Sequence, residues 1–312
     1  MCSSDLSLQD GSVERFSGLV IACGIRPRVL PIPGPALGRT HLRTADDAQR
    51  LRASLQPGAH LVILGAGFIG CEVAATARSL GAEVDLVALD EQPLIRPLGS
   101  MLGATMRERH ESQGVRFHLG RTVTEVLGAD HVTGVRLDDG TELPATVVLE
   151  AVGSVPNIEW LTGTPLDLTD GVLVDGHLRA IGTDVPVFAV GDVACHPNAL
   201  FPGHTWRIEH WNMPTEMGRH AGRSLAASLA GREPETEEFS ALPSFWSDQY
   251  EVSIQSFGMP ALGTAELVDG QWDSDCIVEY HDESGLVGVI GVNRTKDLGT
   301  YRNALLSRQQ PA

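Results

Sequence analysis

Positive charge is scarce in this sequence, and long apolar runs are missing. Lysine and arginine together number 23 against 40 aspartates and glutamates, which gives a net charge of −17 and argues against nucleic acid or an anionic membrane as a partner. No stretch of about 18 or more apolar residues occurs, so we expect no transmembrane helix. The first residues lack the basic-then-apolar order of a signal peptide, and we expect a cytoplasmic protein.

Cysteine is also rare, and no two cysteines have the CxxC spacing. This excludes an obvious disulfide framework or zinc site, and we expect no metal. We interpret each cysteine as a small buried apolar residue. The five positions are Cys2, Cys23, Cys71, Cys195 and Cys276. With 312 residues, 42% of them apolar, and 34 glycines, the chain is long enough for two or three domains of α/β type.

Three glycines in the stretch HLVILGAGFIGCE, residues 60–72, have the spacing of a dinucleotide-binding turn. The apolar run at 61–64 predicts a buried parallel strand, and the alanine-rich segment 68–80 predicts a helix closed by Gly81. In such a unit Gly65 allows the tight turn, Gly67 lets a pyrophosphate approach the backbone, and Gly70 lets the helix pack on the strand. The helix amino terminus then offers free N–H groups to the phosphates.

The next strand, predicted at 83–88, departs from the usual pattern. It commonly ends in a carboxylate that binds the adenosine ribose, but Ala88 stands there and Asp90 follows two residues later. No arginine stands at this position to receive a 2′-phosphate, so we favour NAD over NADP. A helix at 98–113, a strand at 115–119, a meander of short strands with a turn at 138–140 and a strand at 146–152 complete the predicted domain.

Other segments flank this domain. Residues 18–23 predict an apolar strand ended by Gly24 and followed by a proline-rich linker. Residues 183–190 predict a second strand, which places Gly191 and Asp192 at its carboxyl end, where ligands of open α/β sheets bind. A helix at 213–230 and an acidic linker at 233–238 follow. Strands at 252–257, 276–280 and 286–292 and a helix near 295–306 predict a small α+β domain.

Six segments occur in an order that resembles the FAD-dependent ferredoxin reductases of cytochrome P450 and aromatic-ring dioxygenase systems. The resemblance runs from about residue 16 to 306, and FWSDQY discriminates best against disulfide and thioredoxin reductases. Cys23 replaces the threonine of the family's LVIATGARPR segment. The six segments are 19–28, 42–44, 65–72, 191–192, 207–211 and 245–250.

The resemblance implies FAD and NAD(H) as cofactors and a 2Fe–2S ferredoxin as partner. It implies an NAD site at the glycine turn, with Glu72 near the nicotinamide and flavin, and an FAD site drawn from separate segments. No catalytic side chain is expected, because the flavin carries the chemistry. The implied cofactor-binding residues are Gly65, Gly67, Phe68, Ile69, Gly70, Glu72, Gly153, Arg43, Gly191, Asp192, Trp211 and Trp246.

The family opens with a further glycine-rich unit for FAD, whereas this sequence has one GxGxxG. The opening MCSSDL fits nothing that follows it, and we expect that native N-terminal sequence is missing and that the chain binds FAD poorly. The predicted fold class is α/β, with two Rossmann-like three-layer dinucleotide-binding domains, the FAD one incomplete, and a small C-terminal α+β domain. The predicted domains are 1–40 (FAD remnant), 41–150 (NAD), 151–235 (FAD, second part) and 236–312 (C-terminal).

The expected activity is that of a ferredoxin–NAD(+) reductase, with Arg219 and Arg223 as candidates for ferredoxin docking. Two alternatives stay open: an NADH oxidase, peroxide or disulfide-type flavoprotein reductase, and a non-catalytic NAD-binding module. A thioredoxin reductase is disfavoured, because its CxxC would lie in the nicotinamide domain, where Cys71 stands alone. The sequence assigns no oligomeric state.

Overall fold

A computed structural model describes residues 5–232 and 237–309. Residues 1–4, which include Cys2 and most of the unusual opening, lie outside this range, as does most of the predicted acidic linker. The chain divides into two compact units. Unit 1 comprises residues 1–26, 156–245 and 301–312, and unit 2 comprises residues 27–155 and 246–300. The four domain boundaries drawn from the sequence stay predictions.

Strands and helices are numbered in chain order over the described residues. The strands are β1 Asp5–Ser7, β2 Val13–Arg15, β3 Leu19–Ile21, β4 Ile25–Pro27, β5 Arg39–Thr40, β6 His60–Leu64, β7 Glu83–Ala88, β8 Val115–Leu119, β9 Val123–Leu127, β10 Gly134–Leu137, β11 Glu142–Pro144, β12 Val147–Glu150, β13 Ser154–Pro156, β14 Val172–Leu173, β15 Val187–Ala189, β16 Ala194–Pro197, β17 Thr205–Trp206, β18 Ser244–Gln249, β19 Val252–Gly258, β20 Thr264–Gly270, β21 Cys276–Asp282 and β22 Gly285–Val292. The helices are α1 Ala45–Ser54, α2 Phe68–Ser79, α3 Ile95–Ser112, α4 Met213–Leu229 and α5 Gly299–Leu306.

Unit 2 is built on a five-stranded parallel sheet of order β5-β12-β6-β7-β8. Its central strands are apolar along their length because both faces of a parallel sheet are covered. Ile63 of β6 is in register with Leu86 of β7 and Leu149 of β12, and all three side chains are inaccessible to solvent. The predicted β-strand, glycine turn and helix at 60–80 are therefore confirmed, and they lie in the middle of the sheet.

The ends of the helices in unit 2 follow from local sequence. α2 ends at Ser79 with Leu80 as its C-cap residue, and Gly81 follows with φ of +85°, the left-handed conformation that closes a helix. α3 differs from the prediction: it begins at Ile95 instead of 98, and Gly99, with φ of +81° and ψ of 173°, interrupts it. The first turn of α3 is therefore offset from the rest of the helix.

Two antiparallel sheets complete unit 2. The predicted meander forms a sheet of order β11-β10-β9, and its Val126 and Val135 share one buried cluster with Val62 and Leu64 of β6. The second sheet has the order β18-β19-β22-β21-β20. The sequence analysis missed β20, whose alternating exposed residues give little apolar signal. It also placed the last helix too early, because residues 295–297 form a separate 3₁₀ turn.

Unit 1 contains smaller sheets. β3 and β15 pair in parallel, with Ile21 opposite Ala189, and Phe188 of β15 also forms an isolated antiparallel bridge with Arg179. β14, β16 and β17 form a second sheet, and β1 and β2 form a hairpin. α4 begins and ends close to the prediction, and it buries Met213, Met217 and Ala221, which recur on one face at helical spacing.

Candidate functional site

The three glycines of the turn between β6 and α2 meet different surroundings. Gly65 has φ of +106°, and a Cβ there would collide with the carbonyl oxygen of Ala151. A Cβ at Gly70 would collide with the carbonyl oxygen of Gly65, so only glycine lets the helix lie this close to the turn. Gly67 differs, because a Cβ there would meet no atom within 4 Å. The space beside Gly67 is therefore open, as a bound group would require.

A cavity of about 420 Å³ opens over this turn. Gly65 and Gly67 form one wall, the end of β7 forms another, and residues 151–153 after β12 form a third. Gly153 has φ of +90° and leaves open space. No side chain in the described part of the chain caps α2, whose N-cap residue is Gly67. A helix amino terminus without a side-chain cap suits an anion, and the cavity beside it fits the pyrophosphate of a dinucleotide.

The charges around the cavity change one step of the sequence argument. Arg121 follows β8, and its backbone N–H donates to the carbonyl oxygen of Ala88 at 3.1 Å. Arg96 of α3 lies 3.5 Å from Asp90, and Arg96, Arg121 and Asp90 all line the cavity. The sequence has no arginine at this strand end, but parallel pairing of β7 with β8 brings Arg121 beside it from a distant part of the sequence.

Glu72, the fifth residue of α2, is held by strand β18. The Ser247 hydroxyl donates a hydrogen bond of 2.6 Å to Oε1 of Glu72, and Gln249 Nε2 donates to Ser247 Oγ at 2.9 Å. Ser247 and Gln249 are fully buried, whereas Trp246, which stands between Phe245 and Ser247 in the sequence, is 52% exposed. Burial raises the pKa of Glu72, and the hydrogen bond from Ser247 partly opposes this rise.

The same hydrogen-bond chain continues to α3. His110 Nε2 lies 2.8 Å from Gln249 Oε1, and His110 Nδ1 lies 3.0 Å from the Tyr250 hydroxyl. Because Gln249 uses its amide nitrogen on Ser247, its oxygen must accept, so Nε2 of His110 carries the proton and Tyr250 donates to Nδ1. Burial lowers the pKa of His110, which favours this neutral form. Every donor in the chain therefore points toward the Glu72 carboxylate.

The sequence analysis missed Ser247, Gln249, His110 and Tyr250 as members of one network. It treated the histidines as surface or packing residues, and His110 is indeed buried, but it also joins two elements by hydrogen bonds. One signal was present: Phe245, Ser247 and Gln249 alternate with the exposed Trp246 and Asp248, so their side chains share the buried face of β18. The partner of that face could not be identified without the fold.

In unit 1, Gly191 and Asp192 follow β15 as predicted. Gly191 has φ of +73°, and its ideal Cβ position lies 3.5 Å from Pro214 in the first turn of α4. Asp192 is half-buried, and its carbonyl oxygen accepts a hydrogen bond of 3.2 Å from Arg207. Arg207 also donates to Glu209 at 2.6 Å. The carboxyl end of β15 and the amino end of α4 are thus adjacent.

Unmet polar atoms lie beside this pair of ends. His210 Nδ1 and Asn212 Oδ1 are buried and find no hydrogen-bond partner within the described residues. Burial lowers the pKa of His210 to about 4, so its ring is neutral at pH 7. Trp211 between them is 82% exposed. A half-buried carboxylate, orphaned polar atoms and an exposed flat ring fit the polar chain and the aromatic ring of FAD.

The remaining predicted residues occupy separate places. Phe68 and Ile69 lie in the first turn of α2, the former half-buried and the latter exposed. Arg43 is exposed, and its backbone N–H donates to Oδ2 of Asp47 at 3.2 Å, next to the capping box that begins α1. Unit 2 thus brings together Gly65, Gly67, Gly70 and Gly153, while unit 1 holds Gly191, Asp192 and Trp211. The binding role of each residue stays a prediction.

No metal-binding group of three or more histidine, cysteine or acidic side chains occurs in residues 5–232 and 237–309. In the same ranges no helix is long and apolar enough to cross a bilayer. Cys71, Cys195 and Cys276 are buried free thiols, as expected, whereas Cys23 is a free thiol that is exposed, so the expectation of burial was wrong for Cys23. Burial raises the pKa of Cys71, beside Glu72, to about 12, so this thiol is not a reactive nucleophile at pH 7.

The fold and the glycine-lined cavity define a two-unit oxidoreductase that binds a pyridine nucleotide. The chain belongs to the pyridine nucleotide-disulphide oxidoreductase family, which it matches over residues 3–218, and residues 244–312 match the family described as Reductase C-terminal. Within this family its relatives are ferredoxin reductases, which confirms the resemblance found in the sequence.

Two curated relatives and one solved structure illustrate this group. Rhodocoxin reductase of Rhodococcus erythropolis is 35% identical over 96% of this chain and 69% of the relative. The ferredoxin–NAD(+) reductase component of the p-cumate 2,3-dioxygenase system of Pseudomonas putida is 36% identical over 96% and 72%. The crystal structure of the ferredoxin reductase for the CYP199A2 system from Rhodopseudomonas palustris has a TM-score of 0.88 and 32% identity, and the match covers 99% of this chain and 75% of that one.

Proposed function

We propose that this chain passes electrons from NADH through FAD to a 2Fe–2S ferredoxin that serves a cytochrome P450 or a ring-hydroxylating dioxygenase. The proposal rests first on the cavity over Gly65 and Gly67, which lies at an uncapped helix amino terminus and fits a pyridine dinucleotide. Relatives named as ferredoxin–NAD(+) reductases support the rest of the proposal. The acidic chain and its relatives fit a cytoplasmic enzyme, where NADH is available.

In unit 2 the backbone does most of the nucleotide binding. The N–H groups at the start of α2 would bind the pyrophosphate, and Gly67 would let it come into contact with the main chain. Gly153 leaves room on the opposite wall of the cavity. Glu72 would lie near the nicotinamide ring, where its carboxylate, fixed by Ser247, contributes orientation and negative charge.

In unit 1 the residues around the amino end of α4 would hold FAD. Asp192 would accept hydrogen bonds from the hydroxyl groups of the ribityl chain, and the orphaned atoms of His210 and Asn212 offer further polar contacts. Trp211, which is 82% exposed, completes the proposed set in this unit. When bound, FAD accepts two electrons from NADH and releases them one at a time, a conversion that amino-acid side chains do not supply.

The test is the visible spectrum of the protein purified with excess FAD, before and after NADH is added without oxygen. We expect an oxidised-flavin band at about 450 nm that NADH bleaches. Reduction of ferricyanide and reduction of a 2Fe–2S ferredoxin are then measured in separate assays, which follow the electrons out of the protein. Bleaching by NADH with transfer to ferricyanide but to no ferredoxin would contradict the proposed partner and favour an oxidase or disulfide-type reductase.

Absence of flavin would have a different meaning. A preparation that binds NADH tightly but holds no FAD, even when FAD is supplied in excess, would favour the non-catalytic NAD-binding module. A preparation that binds neither cofactor would contradict the proposed function. Calorimetric titration with NADH and with FAD separates these outcomes without reference to activity.

A further inference from the structure

Three arginines and one aspartate are the charged residues that line the cavity over the glycine turn. The lining is therefore net positive in a chain whose net charge is −17. The backbone N–H of Arg28 donates to the carbonyl oxygen of Gly153 at 3.0 Å, and its guanidinium donates to that of Ser154 at 3.1 Å, so Arg28 lies at one end of the cavity. Arg96 and Arg121 lie at the end formed by β7.

The end formed by β7 is the place where such folds distinguish NAD from NADP. A carboxylate at the end of the second strand accepts hydrogen bonds from the ribose 2′-hydroxyl and repels a 2′-phosphate, whereas a nearby arginine attracts that phosphate. Here the strand ends in Ala88, which is almost fully buried and has no charge. The backbone of Arg121 is bonded directly to Ala88.

Neither Arg96 nor Arg121 forms a strong ion pair with its present partner. Arg96 and Asp90 are 3.5 Å apart with side chains 84% and 40% exposed, and Arg121 and Asp139 are 3.1 Å apart with side chains 44% and 33% exposed. Ion pairs as exposed as these contribute little, so a guanidinium can turn to another anion at small cost. A phosphate dianion offers a guanidinium two parallel hydrogen bonds and more charge than a carboxylate.

We propose that Arg121 and Arg96 form a binding site for the adenosine 2′-phosphate, so that the chain takes NADPH as well as NADH. Asp90, two residues beyond the strand end, serves the ribose hydroxyls when NADH is bound. This inference rests on the proposed function, because it assumes that the cavity holds a pyridine nucleotide. NADPH would then be a second hydride donor beside NADH, and the path of the electrons through FAD to the ferredoxin would be the same.

The experiment compares two small adenosine ligands by calorimetry: 2′,5′-ADP, which carries the 2′-phosphate, and 5′-AMP, which lacks it. We expect the protein to bind 2′,5′-ADP about tenfold more tightly than 5′-AMP, which is the size of one good charged contact. Arg121→Ala should weaken 2′,5′-ADP about tenfold more than it weakens 5′-AMP, and Arg96→Ala should act in the same direction. Neither readout needs flavin or turnover.

The matched control is Arg107→Ala, because Arg107 also lies on α3 and also pairs with an acid, Glu111, but does not line the cavity. Its ratio of affinities for the two ligands should equal that of the unchanged protein. Ala88→Glu restores a carboxylate at the strand end and should reverse the preference.

Two results would overturn the inference. If 5′-AMP binds and 2′,5′-ADP binds more weakly, or if Arg121→Ala and Arg96→Ala weaken both ligands equally, the arginines form no 2′-phosphate site. If neither ligand binds, the cavity is not a dinucleotide site, and the proposed function fails together with the inference. The first pair of results leaves NADH as the donor and the proposed function intact.

Discussion

Ser247 and Glu72, which are 175 residues apart in the sequence, are joined by a hydrogen bond of 2.6 Å. Ser247 is fully buried on β18, and Glu72 is half-buried on α2. The bond is the last of four that run from Tyr250 through His110 and Gln249, with every donor directed to the carboxylate. Glu72 is therefore held as an acceptor in a fixed position beside the glycine turn.

Removal of the Ser247 hydroxyl should disturb this carboxylate. In Ser247→Ala, Gln249 Nε2 loses its acceptor and Glu72 loses its donor, so we expect a loss of about 1–3 kcal/mol in the free energy of unfolding. The pKa of Glu72 should rise further, because the hydrogen bond from Ser247 lowers it. Urea denaturation measures the first effect, and the pH profile of flavin reduction by NADH measures the second.

Ser256→Ala is the matched control for this variant. Ser256 is also a fully buried serine, on the neighbouring strand β19, but its hydroxyl has no hydrogen-bond partner among the residues that the structure describes. Its replacement should be neutral or slightly stabilising. Equal losses in the two variants would mean that the bond to Glu72 contributes nothing specific.

Glu72→Gln should change how stability depends on pH. A carboxyl group whose pKa is higher in the folded state than in the unfolded state binds more protons when folded, so its contribution favours folding at low pH. That contribution is lost as the pH rises from the unfolded value through the folded one. We expect Glu72→Gln to raise the melting temperature at pH 8 relative to the unchanged protein and to show no such gain at about pH 4, where both side chains are neutral. A gain of equal size at both values would contradict the shifted pKa.

Gly67→Ala should separate binding from folding. Gly67 has φ of −80°, and a Cβ would meet open space, so the loss of stability should not exceed about 1 kcal/mol. The methyl group would nevertheless occupy the path of the pyrophosphate, and we expect the dissociation constant for NADH to rise at least about tenfold. Gly222→Ala on α4, which also has open space, should leave NADH binding unchanged. Unaltered affinity in Gly67→Ala would show that the phosphates bind elsewhere.

Charge reversal on α4 tests the proposed docking of ferredoxin. Arg219, paired with Glu216 at 2.7 Å and 63% exposed, and Arg223, one turn later, would attract an acidic partner. Arg219→Glu with Arg223→Glu should slow ferredoxin reduction about tenfold at low salt, and the difference should shrink at high salt. Ferricyanide reduction should not change. Arg107→Glu on α3 is the control for a single charge reversal elsewhere, and an effect of that variant equal to that of Arg219→Glu alone would argue against docking at α4.

The elements that could be predicted well are those that local sequence patterns determine. Gly65, Gly67 and Gly70 could be placed because their spacing matches one turn geometry, and the strand and helix around them are dictated by apolar run and alanine content. The interruption of α3 at Gly99 could not be placed, since a glycine inside an apolar pattern does not reveal its backbone angles. β20 could not be predicted either, because most of its side chains alternate between exposed and half-exposed and give little apolar signal.

Contacts between residues that are far apart in the sequence could not be predicted. Arg121 reaches Ala88 only because β8 pairs in parallel with β7, and this pairing brings an arginine to a strand end whose own sequence has none. His110 meets Gln249 only because α3 packs under the C-terminal sheet. A single sequence without its fold contains both residues of each pair but no information on their separation.

The hydrogen bonds that tie β18 to α2 and α3 bear on how such proteins can be recombined. A C-terminal sheet that supplied no side chain to the glycine-turn helix could be exchanged between reductases as a cassette. Here the side chains of Ser247 and Gln249 belong to the hydrogen-bond chain that ends at Glu72. A chimera whose sequence is replaced from about residue 244 onward would keep Glu72 but lose Ser247, its hydrogen-bond donor. Transplantation should succeed only if the incoming strand carries a hydroxyl and an amide at the same two inward positions.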